Sequence, residues 1–340
     1  MGGRKKNSIL FLILILSVPT LFALDILFGT VSIPFVDFKS ALTGGEISRG
    51  TEIIIFQSRI PKAFTAIICG AALSLSGLLM QTLFRNPLAG PYILGVSSGA
   101  GLGVSIFVMG AGAIGFSLTN SITLTLASML GSLGILLILF LVSIKVKDVM
   151  TLLILGVMIG SIATALIGII QYFTSDAQLK SFLIWTLGSL EGVSFDHLKL
   201  MTLILLPSSI VAFGISKNLN AILLGDNYAK SIGISLKTSR LLIIILTGVL
   251  AGMVTAFCGP IGFVGIIVPH ICRLLFQTAE HKILIPGSLL LGASMMLLSD
   301  LLAHLPGDGF SLPINSITSI IGIPIIIWII FNKRSISNSF

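Results

Sequence analysis

Gly95, Val96, Ser97, Ser98 and Gly99 satisfy GxSxG, the pattern in which a serine on a tight strand-to-helix turn becomes a hydrolase nucleophile. That chemistry also needs a histidine to take the serine proton and a carboxylate to orient the histidine. Here the pentapeptide opens an apolar run, and no convincing His and Asp partner accompanies it. HExxH is absent, and His270, which follows Pro269 inside another apolar stretch, reads as a packed, hydrogen-bonded helix residue. Cys69, Cys258 and Cys272 lie in apolar segments without CxxC or Cys/His spacing, which argues against a disulfide scaffold and a zinc site. The phosphate-loop pattern GxxxxGK[ST] is missing as well, so the chain is not itself a P-loop ATPase. No catalytic set, no metal-ligating set and no cofactor bound by this chain is indicated.

The elements that carry these residues are membrane spans. The 340 residues are 55% hydrophobic and 9% charged, with a mean hydropathy of +1.11, whereas soluble domains carry about 25% charged residues. A soluble fold is excluded, and the lipid bilayer is the chain's solvent. Ten apolar runs approach the roughly 20 residues needed to cross a hydrocarbon core: 9–29, 62–83, 93–112, 118–144, 149–172, 199–216, 239–258, 262–277, 283–304 and 313–332. The expected fold is an all-α integral membrane protein of about ten transmembrane helices in one permease domain spanning residues 1–340. The run 262–277 is short and contains Pro269, so a re-entrant or broken helix is its alternative. Arg4, Lys5 and Lys6 before Ile9 to Leu27 resemble a secretory signal, but the run is long for one and lacks an Ala-x-Ala cleavage pattern.

Charge sets the expected orientation. The net charge of +8 is scattered singly and in pairs, with no sustained patch for nucleic acid. With the N-terminus inside, Arg4, Lys5, Lys6, Arg85, Lys145, Lys147, Lys217, Lys230, Lys237, Arg240, Arg273, Lys282, Lys333 and Arg334 are cytoplasmic, 14 of the 20 basic residues. Asp37, Glu46, Glu52, Asp176, Glu191, Asp196 and Asp308 fall outside. Both termini are thus expected in the cytoplasm. Of the long connections, 217–238 has the clearest pattern: Leu219, Ile222, Leu223, Ala229, Ile232 and Ile234 interleave with polar residues around Gly225, as in two short amphipathic helices. An ion-coupled secondary transporter is the rival reading. It would want ionisable groups at the midplane, whereas Asp25 and Asp300 sit near span ends.

Several long, ordered motifs resemble the FecCD-type permeases of ABC importers. They are Arg59-Ile60-Pro61-Lys62; Gly70 to Gly77 with Gln81; Arg85-Asn86-Pro87-Leu88-Ala89; Gly90 to Gly101; and Trp185 with Leu187 to Leu190. In the second half come Leu219, Asn220, Ala221, Leu224, Gly225, Asp226, Ala229 and Gly233, then Gly259 to His270 with Arg273. The resemblance implies type II importer architecture in the cytoplasmic membrane of a prokaryote, and a second permease copy or paralogue completing a pore. It further implies a pair of ABC ATPase subunits that bind ATP and Mg, and an extracytoplasmic substrate-binding protein. Ferric siderophore is the family's commonest substrate, with haem and cobalamin as alternatives.

Carried onto this sequence, ATPase coupling falls to Ala221, Leu224, Gly225, Asp226, Ala229 and Gly233 near the cytoplasmic loop 217–238, and docking of the binding protein to Arg59, Lys62 and His304. The pathway and its gate fall to Gln81, Asn86, Pro87, Ser97, Ser98 and Gly99. Two departures stand out. His304 occupies a position where many members have arginine, which implies a weaker contact that depends on pH near about 6.5. Ser311 replaces an acidic residue before Leu312 and Pro313.

Overall fold

The computed structural model describes residues 2–29, 31, 33–45, 47–110, 121–146, 148–305 and 310–331. Glu46, Lys147, Asp308, Lys333, Arg334 and the start of the 118–144 run lie outside them. Among the described residues there are helices and turns but no strands. Seven helices are long and apolar enough to cross a membrane, and Val96–Met109, Val264–Phe276 and Ile314–Trp328 are shorter apolar helices. Together they account for the ten apolar runs. In chain order the helices are α1 (Gly2–Leu27), α2 (Phe35–Thr43), α3 (Arg49–Ile53), α4 (Ile60–Phe84), α5 (Val96–Ser105), α6 (Ser121–Lys145), α7 (Val149–Tyr172), α8 (Asp176–Thr186), α9 (Phe195–Gly214), α10 (Ser216–Leu224), α11 (Asp226–Ser231), α12 (Leu236–Cys258), α13 (Val264–Phe276), α14 (His281–Ala303) and α15 (Ile314–Phe331).

The second span is the largest departure from expectation. Instead of starting at residue 62, the helix runs unbroken from Arg49 to Phe84, 36 residues, or about 54 Å. Pro61 lies within it, although a proline cannot donate a hydrogen bond and its ring crowds the carbonyl four residues back. The chain absorbs it by widening Ile54–Arg59 into a π-helical turn. Ser48 caps the start, its Oγ accepting from the Thr51 amide at 3.1 Å.

α4 is the centre of the bundle, buried on nearly every face from Pro61 to Phe84. It packs against α14, α12 and α13. Lipid tails are as apolar as leucine, so burial of apolar surface does little to drive spans together; close backbone packing does more. A Cβ on Gly77 would lie 1.7 Å from the Gly265 carbonyl oxygen, and one on Gly70 would lie 2.1 Å from that of Gly292. The same device joins α5 to α6, where a Cβ on Gly103 would sit 2.1 Å from the Ala127 oxygen. The outer helices instead show large apolar side chains to the surroundings, among them Leu16, Leu130, Ile162 and Ile210.

α13 has 13 residues and spans about 20 Å, short of a hydrocarbon core of about 30 Å. Its entry is the broken segment Gly259 to Phe263, with φ of +73° at Gly259 and +67° at Phe263. Non-helical backbone at such depth needs protein partners. It has them: Gly262 N–H donates to Asn315 Oδ1 at 3.0 Å, Ile261 N–H to the Tyr92 hydroxyl at 3.3 Å, and the Cys258 carbonyl accepts from Ser189 at 2.8 Å. The broken-helix alternative therefore describes the eighth run.

Gly77→Val forces two backbones apart. We expect a loss of at least about 1–3 kcal/mol, seen as a lower melting temperature or no monodisperse protein in detergent. Gly168→Ala, at an exposed helix position where a Cβ meets nothing within 4 Å, should keep or raise the melting temperature.

Candidate functional sites at the two ends of the bundle

At one end, α10 and α11 form a helix pair hinged at Gly225, whose φ of 116° and ψ of 153° are open to glycine and strained for other residues. Ala221 and Ala229 are buried beneath the pair, whereas Leu224, Tyr228 and Ile232 are 68, 47 and 52% exposed. Polar side chains fasten the pair to the spans. Asn218 donates to Ser239 of α12 at 3.1 Å. Asn220 bonds the ring of His281 at 2.6 Å and the Glu280 carboxylate at 2.8 Å, both at the start of α14. The far ring nitrogen of His281 bonds Thr82 of α4 at 2.8 Å. Arg85, just past the end of α4, donates from Nε to the Ile222 carbonyl at 2.8 Å and pairs with Asp226. Arg240 of α12 takes the other Asp226 oxygen at 2.5 Å.

A cavity of about 500 Å³ opens beside this junction, lined in part by Leu83, Asp148, Asp226, Lys230, Lys237 and Arg240. Asp148 caps α7, and the Thr151 hydroxyl and amide hold its carboxyl below the usual range. Gly233, with φ of 82°, turns the chain toward α12.

The opposite end gathers Arg59, Lys62 and His304, as their assignment to one face implies, but the structure spends their polar groups inside the bundle. Arg59 is 5% exposed. It donates to the Ile26 and Leu27 carbonyls at 2.5 and 2.9 Å, and also to Val31, capping α1 where its last carbonyls lack helical partners. Lys62 meets the Asp300 carboxylate at 2.8 Å and donates to His304 Nε2, with Asp25 buried alongside. Burial, then the charge of Lys62, lowers the pKa of His304 below its ordinary value.

The residues assigned to the pathway separate. Gln81 is fully buried, donating to the Ile266 carbonyl at 2.8 Å and accepting from Arg273. Asn86 closes a turn by accepting from the Leu88 amide at 2.9 Å, with Pro87 beside it. Gly99 is a packing position, since a Cβ there would meet Ile135 at 2.3 Å. Ser97 and Ser98, in the first turn of α5, are half-buried. The thiols of Cys69 and Cys258 touch at 3.3 Å, and all three cysteines are buried and free. Asn220, His281, Thr82 and Arg240 are the members of the fastening network that sequence reading left without a role there. Asn220 stood in the cytoplasmic-loop motif without a role of its own, and the signal of the other three was only polar residues at span ends, which many membrane helices carry.

A family model described as the FecCD transport family matches residues 12–332. The chain is 34% identical over 316 residues to the vitamin B12 import system permease protein BtuC of Klebsiella pneumoniae subsp. pneumoniae, across 91% of this chain and 94% of that protein. It is 32% identical over 340 residues to the hemin transport system permease protein HmuU of Yersinia pestis, across 98% of each. A solved structure of an inward-facing conformation, assigned to the metal-chelate type of ABC transporter, superposes with a TM-score of 0.81 at 29% identity, covering 96% of this chain and 99% of that one. The match runs from the first span through the last, so the chain belongs to the FecCD transport family and is the multi-pass permease of a bacterial ABC importer of the inner membrane.

Proposed function

We propose that two copies of this chain, or one copy and a paralogue, form the pore that carries a bulky metal chelate into the cytoplasm, driven by ATP and Mg bound on separate ATPase subunits. The observation that carries this reading is the α10–α11 pair. It presents Leu224, Tyr228 and Ile232 to solvent at four-residue spacing while its other face is fastened to three spans. Exposed aliphatic and aromatic side chains on an anchored helix pair suit a groove on a partner protein. The segment 217–238 is then the cytoplasmic coupling loop, in line with both termini inside. Gly225 and Gly233 supply its turns, and Ala221 and Ala229 its packing.

The other end then faces outward and receives the substrate-binding protein. The buried set of Arg59, Lys62 and His304 shapes that rim, while exposed Lys39 and Arg49 offer positive charge to an acidic partner. The half-buried Ser97 and Ser98 are our pathway residues. Gln81 and the Asn86-Pro87 turn act on the gate through the helix ends they hold.

For substrate we favour a ferric siderophore. The relatives named for vitamin B12 and hemin support a second reading, cobalamin or haem, on the same architecture.

Proteoliposomes holding the chain, its ATPase and its binding protein should take up one of radiolabelled ferric hydroxamate, haem or cyanocobalamin only with ATP inside. Uptake that survives omission of the ATPase and follows a proton or sodium gradient would overturn the importer reading in favour of a secondary transporter. Leu224→Glu places a charge in the proposed contact. Losing an interface anchor typically costs about 2 kcal/mol or more, so co-purification of the ATPase should fall at least tenfold while the permease keeps its melting temperature.

A further inference from the structure

Resting on the coupling reading, we propose that Asp226 is the positioning residue that makes the α10–α11 pair and the inner ends of α4 and α12 a single moving body. The geometry is a fork. One carboxylate oxygen takes Arg85, from the end of α4, and the other takes Arg240, from α12, at 2.5 Å. Among the described residues, Asp226 is the side chain of the helix pair that forms ion pairs with two spans.

Both neighbours of this fork are set in unusual backbone. Arg85 adopts φ of 47°, a left-handed conformation uncommon for a residue with a side chain, and the turn sends its guanidinium toward the helix pair. Gly225, directly before Asp226, takes its glycine-favouring conformation although a Cβ there would meet nothing within 4 Å. Packing does not require a glycine at that point; the chain path does, and that path delivers the Asp226 carboxylate between the two arginines.

Stability is a poor explanation for the arrangement. The side chains are 40, 37 and 19% exposed for Arg85, Asp226 and Arg240, and an ion pair as open to water as Arg85–Asp226 adds little to folding. What the fork does supply is direction. A push on Leu224 and Tyr228 reaches α4 through Arg85 and α12 through Arg240 at once. The Asn220–His281–Thr82 chain carries the same motion to α14 and back to α4. Without the carboxylate α10 keeps its hold on α14, α12 and α4 through Asn220, Asn218 and the Ile222 carbonyl, but α11 can swivel about Gly225.

Spin labels on Lys230→Cys in α11 and Lys237→Cys in α12 read this directly in the complex with its ATPase. We expect one narrow separation that ATP and Mg leave unchanged. In Asp226→Asn it should broaden or shift on adding nucleotide, and Asp226→Glu should restore it. Uptake per ATP hydrolysed, for whichever of the three chelates is carried, should fall about fivefold or more in Asp226→Asn, with the ATPase still bound. Arg240→Gln should give the same loss. Combined with Asp226→Asn it should add nothing, since both remove one link. A narrow, nucleotide-independent separation in Asp226→Asn overturns the proposal, as does uptake falling only in proportion to hydrolysis. Failure of the coupling reading is a separate result: Leu224→Glu would then retain the ATPase.

Discussion

The bundle depends on the contact of two backbones, the approach of Gly77 on α4 to the Gly265 carbonyl on α13, in which no side chain stands between them. In a bilayer the gain from burying apolar surface is largely absent, so distance between backbones sets how much packing attraction a helix pair can gather. α4 meets this demand on two sides, with Gly70 against Gly292 and Gly77 against Gly265. It can therefore be enclosed by α12, α13 and α14 together. α13 is too short to span alone and is held in place by this embrace and by the polar contacts at its broken entry.

An enclosed α4 makes both of its ends strategic. Its outer end carries Lys62 and Arg59 into a buried set with Asp25, Asp300 and His304. Charge in that position must be matched, because removing one partner strands the other in a poor solvent. Its C-terminal end carries Thr82 and Arg85 into a partly hydrated set with Asp226, Asn220 and His281. Water can replace a lost partner in the exposed Arg85–Asp226 pair, whereas Thr82 and His281 are fully buried and hold each other as firmly as a core contact. The set around Lys62 fixes α1, α4 and α14 in one arrangement, and the set around Asp226 ties the α10–α11 pair to α4, α12 and α14.

Composition and run length made the membrane class, the number of apolar runs and the helix pair around Gly225 legible, since each follows from patterns local to a few residues. The extended start of the second span was not legible. Pro61 looks like a boundary in any local reading, and only the π turn over residues 54–59 reconciles it with a continuous helix. The buried state of Arg59, Lys62 and His304 was equally hidden. A cation at a span end is usually a snorkelling residue, and the groups that hold these inward, the Ile26, Leu27 and Val31 carbonyls for Arg59 and the Asp300 carboxylate for Lys62, come from distant parts of the chain. Asp226 was readable as a member of one motif and Arg85 as a member of another, but nothing local links them to each other or to Arg240, which had been counted only as a topology charge.

The same separation explains why the inner joint is built from many modest bonds instead of one strong one. A hydrophobic junction between the helix pair and the spans would be stable but indifferent to direction, since apolar contacts slide. Bonds from residues 218, 220, 222 and 226 fix four different points of a short segment to three helices. Four points in three spans define an orientation as well as a position. A partner acting on one exposed face of that segment, as proposed, would move the three spans as a set.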